Sequence, residues 1–192
     1  KTYCHRDTEI TGLVFLDYLR FLVHHDMGGF ANTISSQSFR CFRHRFLQEK
    51  ILHYDQPEIN RFSRAGYYGG RVECRRLGPV PGGPFVKLDV NSLYPAVMRD
   101  GTYPVALKQW KRSHADRSLE SRMENGCCLA EVTVRTPVPA YPLRHGGKLC
   151  FPTGEFTTIL SSDSLRYAFA QGHIHKVNQY LYFTAAPLFS DF

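Results

Sequence analysis

The order of its hydrophobic patterns constrains the fold of this chain more than any other sequence feature. Residues 8–26 carry apolar side chains at near-helical spacing and are followed by Gly28-Gly29, which predicts a packed amphipathic helix that ends there. Stretches typical of strands come later, at residues 71–75, 85–90, 129–136, 156–160 and 173–183. Because helices lead and strands follow, we predict an α+β fold.

A second helix is predicted shortly after the first. Ser35 or Ser36 is placed to cap it, and its three phenylalanines, Phe39, Phe42 and Phe46, share one face. Such a stripe is more typical of a core than of a platform for stacking bases.

Two short helices and one irregular segment complete the outline. Helices are predicted over residues 92–99 and 164–170, each followed by a glycine that ends it. Residues 55–70 lose the periodic pattern, which indicates a linker or a shaped loop.

Composition restricts the class of protein. Of the 192 residues, 43% are hydrophobic and 14% aromatic, which is enough for a core and excludes disordered, collagen-like and disulfide-stapled chains. No apolar run approaches the roughly 20 residues of a membrane helix, and no secretory segment is present. We therefore expect a soluble intracellular protein without a membrane partner, whose compartment the sequence does not reveal. The chain begins without Met, which suggests a segment excised from a longer protein.

Cysteines and histidines make a weak case for metal chemistry. The six cysteines include no C-x-x-C pair and are predicted to be reduced core residues. His24-His25 and His173-x-His175 lack a cysteine or carboxylate partner at zinc spacing, which favours surface or hydrogen-bonded histidines. One hypothesis is a hydrolase with a metal at His173 and His175, which requires stoichiometric zinc in the purified protein.

Positive charge is concentrated in one part of the sequence. The net charge is +7, and residues 40–76 contain nine basic against four acidic side chains. Most of the nine are arginines, which suit bidentate contact with phosphate. A solvated helix face explains the same charges without a ligand.

Asp89 is the carboxylate in the most suggestive position. It ends the predicted strand at residues 85–90 and precedes a turn into the predicted helix, with Pro95 in the first helical turn. A carboxylate on a strand end can hold divalent ions, while free N–H groups at a helix start bind phosphate oxygens. The residues alone thus indicate a site for an anion and a metal, although a lone Asp there is more often a helix cap.

Three short motifs occur in a recognisable order. The segment Asp89-Val90-Asn91-Ser92-Leu93-Tyr94-Pro95 resembles motif A of family B DNA polymerases, D-x-x-S-L-Y-P. Tyr3-x-x-x-Asp7 resembles the third motif of their 3′–5′ exonuclease, and Tyr67-Tyr68-Gly69-Gly70 resembles the Y-x-G-G motif between the exonuclease and polymerase domains. Together with Gly154-Glu155-Phe156 and the ending at residues 183–192, this spacing is similar to the protein-primed branch, which replicates linear viral, plasmid and transposon genomes.

The resemblance implies roles for the residues of motif A. Asp89 would bind the two catalytic metals, Mg²⁺ or Mn²⁺, and Val90 would contribute its backbone carbonyl to one of them. Ser92, Leu93 and Tyr94 would meet the triphosphate through backbone amides. Tyr94 would also stack under the sugar and exclude a 2′-hydroxyl; the simpler alternative for this ring is a core aromatic.

In the exonuclease, the resemblance implies that Asp7 holds a metal and that Tyr3 orients the attacking water. A capped helix start is the alternative explanation for these two residues.

The Y-x-G-G motif implies a contact with template DNA. Tyr67, Gly69 and Gly70 would lie against the template, where glycine permits close backbone approach. Arg64 and Arg71 would contact its phosphates. If the glycines only form a tight turn, replacing them should change stability more than DNA affinity.

The resemblance also divides the chain into four parts. They are the C-terminal part of an exonuclease domain (1–54), a linker with the template-binding loop (55–84), the start of a polymerase palm with a mixed or antiparallel sheet (85–105), and an α+β insertion (106–192). The insertion resembles the first terminal-protein region, which contacts the priming protein and DNA.

The leading hypothesis is part of a protein-primed, DNA-directed DNA polymerase that adds deoxynucleotides to a primer by two-metal phosphoryl transfer and proofreads in its full chain. Its partners would be a DNA template and primer, deoxynucleoside triphosphates and a terminal protein. The motif with the second metal-binding carboxylate, the nucleotide-gripping K-x-x-x-N-x-x-Y-G motif and the first two exonuclease motifs are absent, so the 192 residues alone are expected to be inactive. The alternative is a non-catalytic module, derived from such a polymerase, that binds DNA or the priming protein.

Overall fold

The structure, a computed structural model, describes residues 2–52, 54–112 and 118–191. Phe192, the last residue of the stretch compared with the protein-primed branch, lies outside them. The chain forms two compact units. The helical unit comprises residues 1–50, 94–101 and 187–192, and the sheet unit comprises residues 51–93 and 102–186.

The described elements confirm an α+β fold. In chain order they are α1 (Thr2–His24), α2 (Ile34–Cys41), a π-helical turn (Phe42–Phe46), α3 (Pro57–Ala65), α4 (Leu93–Asp100), β1 (Tyr103–Lys111), α5 (Ser118–Glu124), β2 (Cys127–Thr136), β3 (Leu143–His145), β4 (Lys148–Cys150), β5 (Gly154–Ser161), α6 (Ser162–Ala170) and β6 (Ile174–Ala186). No helix in these described ranges is long and apolar enough to cross a membrane.

The predicted first helix forms, but it is not packed as expected. Within α1 only Leu22 is buried, whereas Leu13 and Val14 are more than half exposed. The periodic spacing therefore fixed the helix, while the described chain leaves most of its apolar face uncovered.

Gln37 organises the loop between the first two helices. Its buried side chain accepts a hydrogen bond from the Ala31 amide and donates to the carbonyl oxygens of Met27 and Gly29. The α2 helix is capped by Thr33 rather than by Ser35 or Ser36; Ser36 completes the reciprocal pair of cap bonds.

The phenylalanine stripe divides between core and solvent. Phe42 is buried and stacks on Phe189 with ring centroids 4.7 Å apart, whereas Phe39 is mostly exposed. The expectation of a core stripe is thus confirmed for Phe42 and wrong for Phe39.

The sheet unit is built on an antiparallel sheet with the strand order β1-β6-β2-β5. Side chains of β2 alternate between buried and partly exposed, as they do in a strand with one face on a core. On one face of the sheet, α5 and α6 cover a hydrophobic core. Its members include Leu119, Met123, Ala130, Val132, Val134, Leu165 and Tyr180.

The opposite face of the sheet is covered by a helix that the sequence did not predict. Residues 55–70 were expected to be a linker or a loop, but α3 forms there, with Pro57 in its first turn. Ile59 and Phe62 of α3 are buried against Ile159 and Leu181 of the sheet. The expectation was wrong because a helix of nine residues shows too few turns for a clear periodicity.

Strand predictions succeeded where the structure supplies a neighbouring strand. The stretches at 129–136, 156–160 and 173–183 became β2, β5 and β6. The stretches at 71–75 and 85–90 have no regular structure, so both predictions were wrong. Within the described chain no strand pairs with them, and a strand without a partner leaves its backbone groups unsatisfied.

The two remaining predicted helices form close to the expected bounds. The prediction at 92–99 became α4, and the prediction at 164–170 became the C-terminal part of α6, with Gly172 in the left-handed conformation after it. A further hairpin, β3–β4, turns through Gly146-Gly147, both with positive φ. This hairpin, β1 and α5 were not predicted.

Candidate functional site

Asp89 lies in an exposed segment without regular structure, directly before the turn into α4. Its neighbours Leu88 and Val90 are 86% and 63% exposed. In the described part of the chain no ion pair involves Asp89. Its carboxylate is therefore open to solvent and to ligands.

The turn after Asp89 has an unusual backbone. Ser92 has a φ of 55°, which is uncommon for a residue with a side chain, and the Leu93 amide donates to the Val90 carbonyl oxygen at 3.4 Å. The helix α4 begins at once, with Pro95 in its first turn as predicted. Tyr94 is 76% exposed, so its ring is not a core aromatic in this chain.

The described residues do not complete a metal site. They contain no group of three or more His, Cys, Asp or Glu side chains that could hold an ion. Asp89 belongs to the sheet unit and Asp7 to the helical unit. A two-metal centre needs carboxylates that converge from several elements, so the residues present fit one ligand of such a centre and not the whole.

Tyr3 and Asp7 lie one turn apart on α1 and are both exposed. Asp7 is five residues beyond the first helical residue, so it is not an N-cap. The Thr11 hydroxyl donates to the Asp7 carbonyl oxygen at 2.8 Å, which leaves the carboxylate uninvolved in that bond.

The Y-x-G-G loop, which we define as residues 67–70, is attached to the sheet and the β3–β4 hairpin. The Arg144 guanidinium donates to the Tyr67 carbonyl oxygen at 2.7 Å, and its carbon lies 5.5 Å from the centroid of the Tyr68 ring. The Tyr68 hydroxyl is 3.0 Å from Thr158 Oγ1. The Tyr67 side chain is 75% exposed.

The two arginines expected to contact DNA differ in their surroundings. Arg64 is exposed on α3. Arg71 donates to the Pro139 carbonyl oxygen at 2.7 Å, forms an ion pair with Glu73, and lies over the Phe151 ring. Arg71 thus holds the end of the Y-x-G-G loop through contacts within the protein.

Gly69 has no internal reason to be glycine. A Cβ built at this position meets nothing within 4 Å in the described chain, and its φ lies outside the left-handed region. The tight-turn explanation therefore finds no support at Gly69, and close approach by a ligand is compatible with its surroundings.

Sequence reasoning missed Arg144 and Thr158. They are 77 and 90 residues away from their partners in the loop, and no local pattern marks them. Only the pairing of β5 with β2 and the β3–β4 hairpin bring them to the loop.

Tyr141 is a buried ionisable group of the sheet unit. Burial raises the pKa of the Tyr141 phenol to about 12, and Tyr167 adds to the shift. The Tyr141 hydroxyl is hydrogen-bonded to Nδ1 of His173 at 2.8 Å, so this histidine is a satisfied side chain.

The cysteines are all free, as expected. Burial raises the pKa of the Cys128 thiol to about 11, with a contribution from Cys127, so the thiol is unreactive near neutral pH. Cys4 and Cys74 are exposed, so the prediction of core cysteines was wrong for these two.

Comparison with known proteins identifies the family of this chain. The chain matches the family described as DNA polymerase type B, organellar and viral, over residues 1–192. It is 24% identical over 204 residues to a probable DNA polymerase of Neurospora intermedia, an alignment that covers 99% of this chain and 21% of that protein. No solved structure matches. Since the family match extends from the first residue to the last, the chain belongs to the organellar and viral type B DNA polymerases.

Proposed function

We propose that this chain is a segment of a protein-primed, DNA-directed DNA polymerase that adds deoxynucleotides to a primer by two-metal phosphoryl transfer. The single observation that carries the proposal is the order of the exonuclease, Y-x-G-G and motif A residues within a family match over residues 1–192. Because the chain spans 21% of its fungal relative, synthesis and proofreading are proposed for the complete protein.

In this proposal Asp89 is a metal ligand at the nucleotide site, together with the carbonyl oxygen of Val90. The support is an exposed carboxylate, without an ion pair in the described chain, at the entrance to a helix. Mg²⁺ or Mn²⁺ would supply charge neutralisation on the phosphates. The remaining carboxylates of the centre would come from residues outside those described.

The backbone amides of Ser92, Leu93 and Tyr94 would face the triphosphate in this proposal. The exposed Tyr94 ring would lie under the sugar and select deoxynucleotides. The Y-x-G-G loop, with Arg64 and Arg71 beside it, would contact the template, and Tyr3 and Asp7 would serve the exonuclease.

The domain assignments remain part of the proposal. They are the exonuclease end (1–54), the linker (55–84), the palm start (85–105) and the insertion at the priming protein (106–192). Residues 113–117 of that insertion lie outside the described residues.

Two alanine variants of the complete protein test the catalytic assignments. Asp89→Ala should abolish primer extension and leave DNA binding intact, whereas Asp7→Ala should abolish only degradation of the primer 3′ end. Asp17→Ala is a matched control, because Asp17 is also exposed on α1 and pairs with Arg20. Full extension activity in Asp89→Ala would overturn the assignment of the nucleotide site.

A non-catalytic module that binds DNA or the priming protein is the second candidate. The described residues, which bring no group of metal ligands together, fit this module and the proposed polymerase segment equally. Binding of primer–template without nucleotide incorporation by the complete wild-type protein would support it over the polymerase.

A further inference from the structure

We propose that Arg144 and Thr158 are positioning residues of the Y-x-G-G loop, which hold it in the conformation that meets template DNA. Through these two side chains, the sheet and the β3–β4 hairpin would control template binding, although neither side chain touches the template. The effect on DNA rests on the proposed function of the loop, whereas the attachment itself does not.

The loop is fixed on both sides of its glycines. Before them, Arg144 binds the carbonyl oxygen of Tyr67 at 2.7 Å. After them, Arg71 binds the carbonyl oxygen of Pro139 at 2.7 Å and lies with its guanidinium carbon 4.4 Å from the Phe151 centroid. A short segment held at both ends has far fewer conformations than a free glycine-containing loop.

The direction of the Tyr68 hydrogen bond follows from the chemistry of Thr158. A threonine hydroxyl has one proton, and the Thr158 proton is donated to the Pro142 carbonyl oxygen at 2.5 Å. The Tyr68 hydroxyl at 3.0 Å must therefore be the donor, with Thr158 Oγ1 as the acceptor. Because Thr158 is buried, this bond joins the loop to the interior of the sheet unit.

The Arg144 guanidinium makes two contacts within the protein, although the residue as a whole is exposed. Its guanidinium contacts a carbonyl oxygen and the face of the Tyr68 ring. The Tyr67 side chain and the space around Gly69 are left open between the attached points. The loop is thus attached at Tyr67, Tyr68 and Arg71, while the Tyr67 ring and the surroundings of Gly69 stay open. Such an arrangement is expected of a preformed binding surface.

The first experiment measures the loop without DNA. In the full chain, amide hydrogen exchange of residues 67–71 should become about tenfold faster in Thr158→Val and in Arg144→Ala. The loop can then open locally without breaking the bond that the variant has removed. Thr157→Val is the matched control, since Thr157 is the adjacent residue of β5 and bonds Thr133 instead. Arg135→Ala controls for the lost charge, since Arg135 pairs with Glu155.

Tyr68→Phe is the second variant, in case Thr158→Val disturbs the sheet. It removes only the bond from the loop and leaves Thr158 bonded to Pro142. Faster exchange in Tyr68→Phe supports the proposal, and exchange as slow as in the wild type in all three variants would overturn it.

The second experiment measures the affinity for a primer–template at several salt concentrations. A positioning role predicts about tenfold weaker binding in Arg144→Ala with an unchanged salt slope. The freed loop must then lose the conformational entropy of roughly one more residue when it binds DNA. A slope smaller by about 1 with unchanged exchange would identify Arg144 as a phosphate contact and overturn the proposal. Faster exchange with unchanged affinity would support the attachment and instead contradict the template-binding role of the loop.

Discussion

At the scale of one residue, Gly69 allows two explanations of a glycine to be distinguished: contact with a ligand, and a requirement of the fold itself. Glycines with a positive φ, such as Gly28 and Gly146, have a backbone reason to be glycine, whereas Gly69 has neither a left-handed φ nor a close neighbour. The residue type is then unexplained by the described chain itself. Contact with template DNA would explain it, because a Cβ would keep the backbone away from a phosphate.

Gly69→Ala is accordingly expected to weaken primer–template binding while stability stays unchanged or rises by about 0.4–1 kcal/mol, because Ala restricts the unfolded chain. Binding titrations and urea unfolding measure the two effects. Gly12→Ala is the control: Gly12 lies in α1 with open space around it, so the variant should gain helix stability and bind DNA as the wild type does. Destabilisation of Gly69→Ala without loss of affinity would favour the tight turn.

Tyr141 is predicted to make the sheet unit sensitive to alkali. Its pKa is raised to about 12 in the folded chain, while an unfolded tyrosine ionises near 10. The folded state therefore holds this proton more tightly, and the associated stability is present below pH about 10 and lost as the pH rises to about 12. Urea midpoints between these pH values should fall less in Tyr141→Phe than in the wild type.

The matched control for Tyr141 is Tyr67→Phe, since the Tyr67 ring is mostly exposed. Its alkaline decline in stability should equal that of the wild type. An equally steep decline in Tyr141→Phe would assign the sensitivity to other groups.

At the scale of an element, α3 depends on the sheet for its existence. It has nine residues, which is too short for a stable isolated helix, and it buries Ile59 and Phe62 against Ile159 and Leu181. The helix also leads into the Y-x-G-G loop through Gly66, where a Cβ would lie 2.8 Å from Leu129 and Ile159 side-chain atoms. The close approach of this turn to the sheet therefore requires glycine.

Phe62→Ala should destabilise the sheet unit by about 3–5 kcal/mol, because a large buried ring is removed. Phe85→Ala, at a ring that is 71% exposed in the same unit, should change stability by no more than about 0.5 kcal/mol. Chemical denaturation followed by circular dichroism compares the two. Equal effects would show that α3 does not pack on the sheet in solution.

At the scale of the whole molecule, the positive net charge predicts that the 192 residues bind DNA. The lack of a complete group of metal ligands among the described residues predicts that they do not catalyse nucleotide incorporation. The net charge of +7 favours DNA, although Arg71 and Arg45 are engaged within the protein. The affinity of the 192-residue chain for DNA should fall with salt, with a logarithmic slope of about 0.9 for each contacted phosphate.

Primer extension by the same 192 residues should give no incorporation, since one carboxylate at the proposed nucleotide site cannot hold two metals. Robust incorporation would contradict this expectation, and binding independent of salt would contradict the electrostatic contribution.

The sequence alone determined the features whose signal is local. Without a structure we recognised the helical spacing of α1, the strand-like stretch at residues 129–136, and the order of the Tyr3, Tyr67 and Asp89 motifs. Each of these signals depends on residues close together in the chain. The family match supports the resemblance that these motifs indicated.

Tertiary structure alone decided the features that depend on a distant partner. Residues 85–90 have a strand-like composition, but no strand in the described part of the chain pairs with them. The helix α3 formed because the sheet offered an apolar face, and Arg144 contacts Tyr67 across 77 residues of sequence. Backbone pairing, burial and side-chain anchoring are properties of two segments at once, so the sequence of one segment does not contain them.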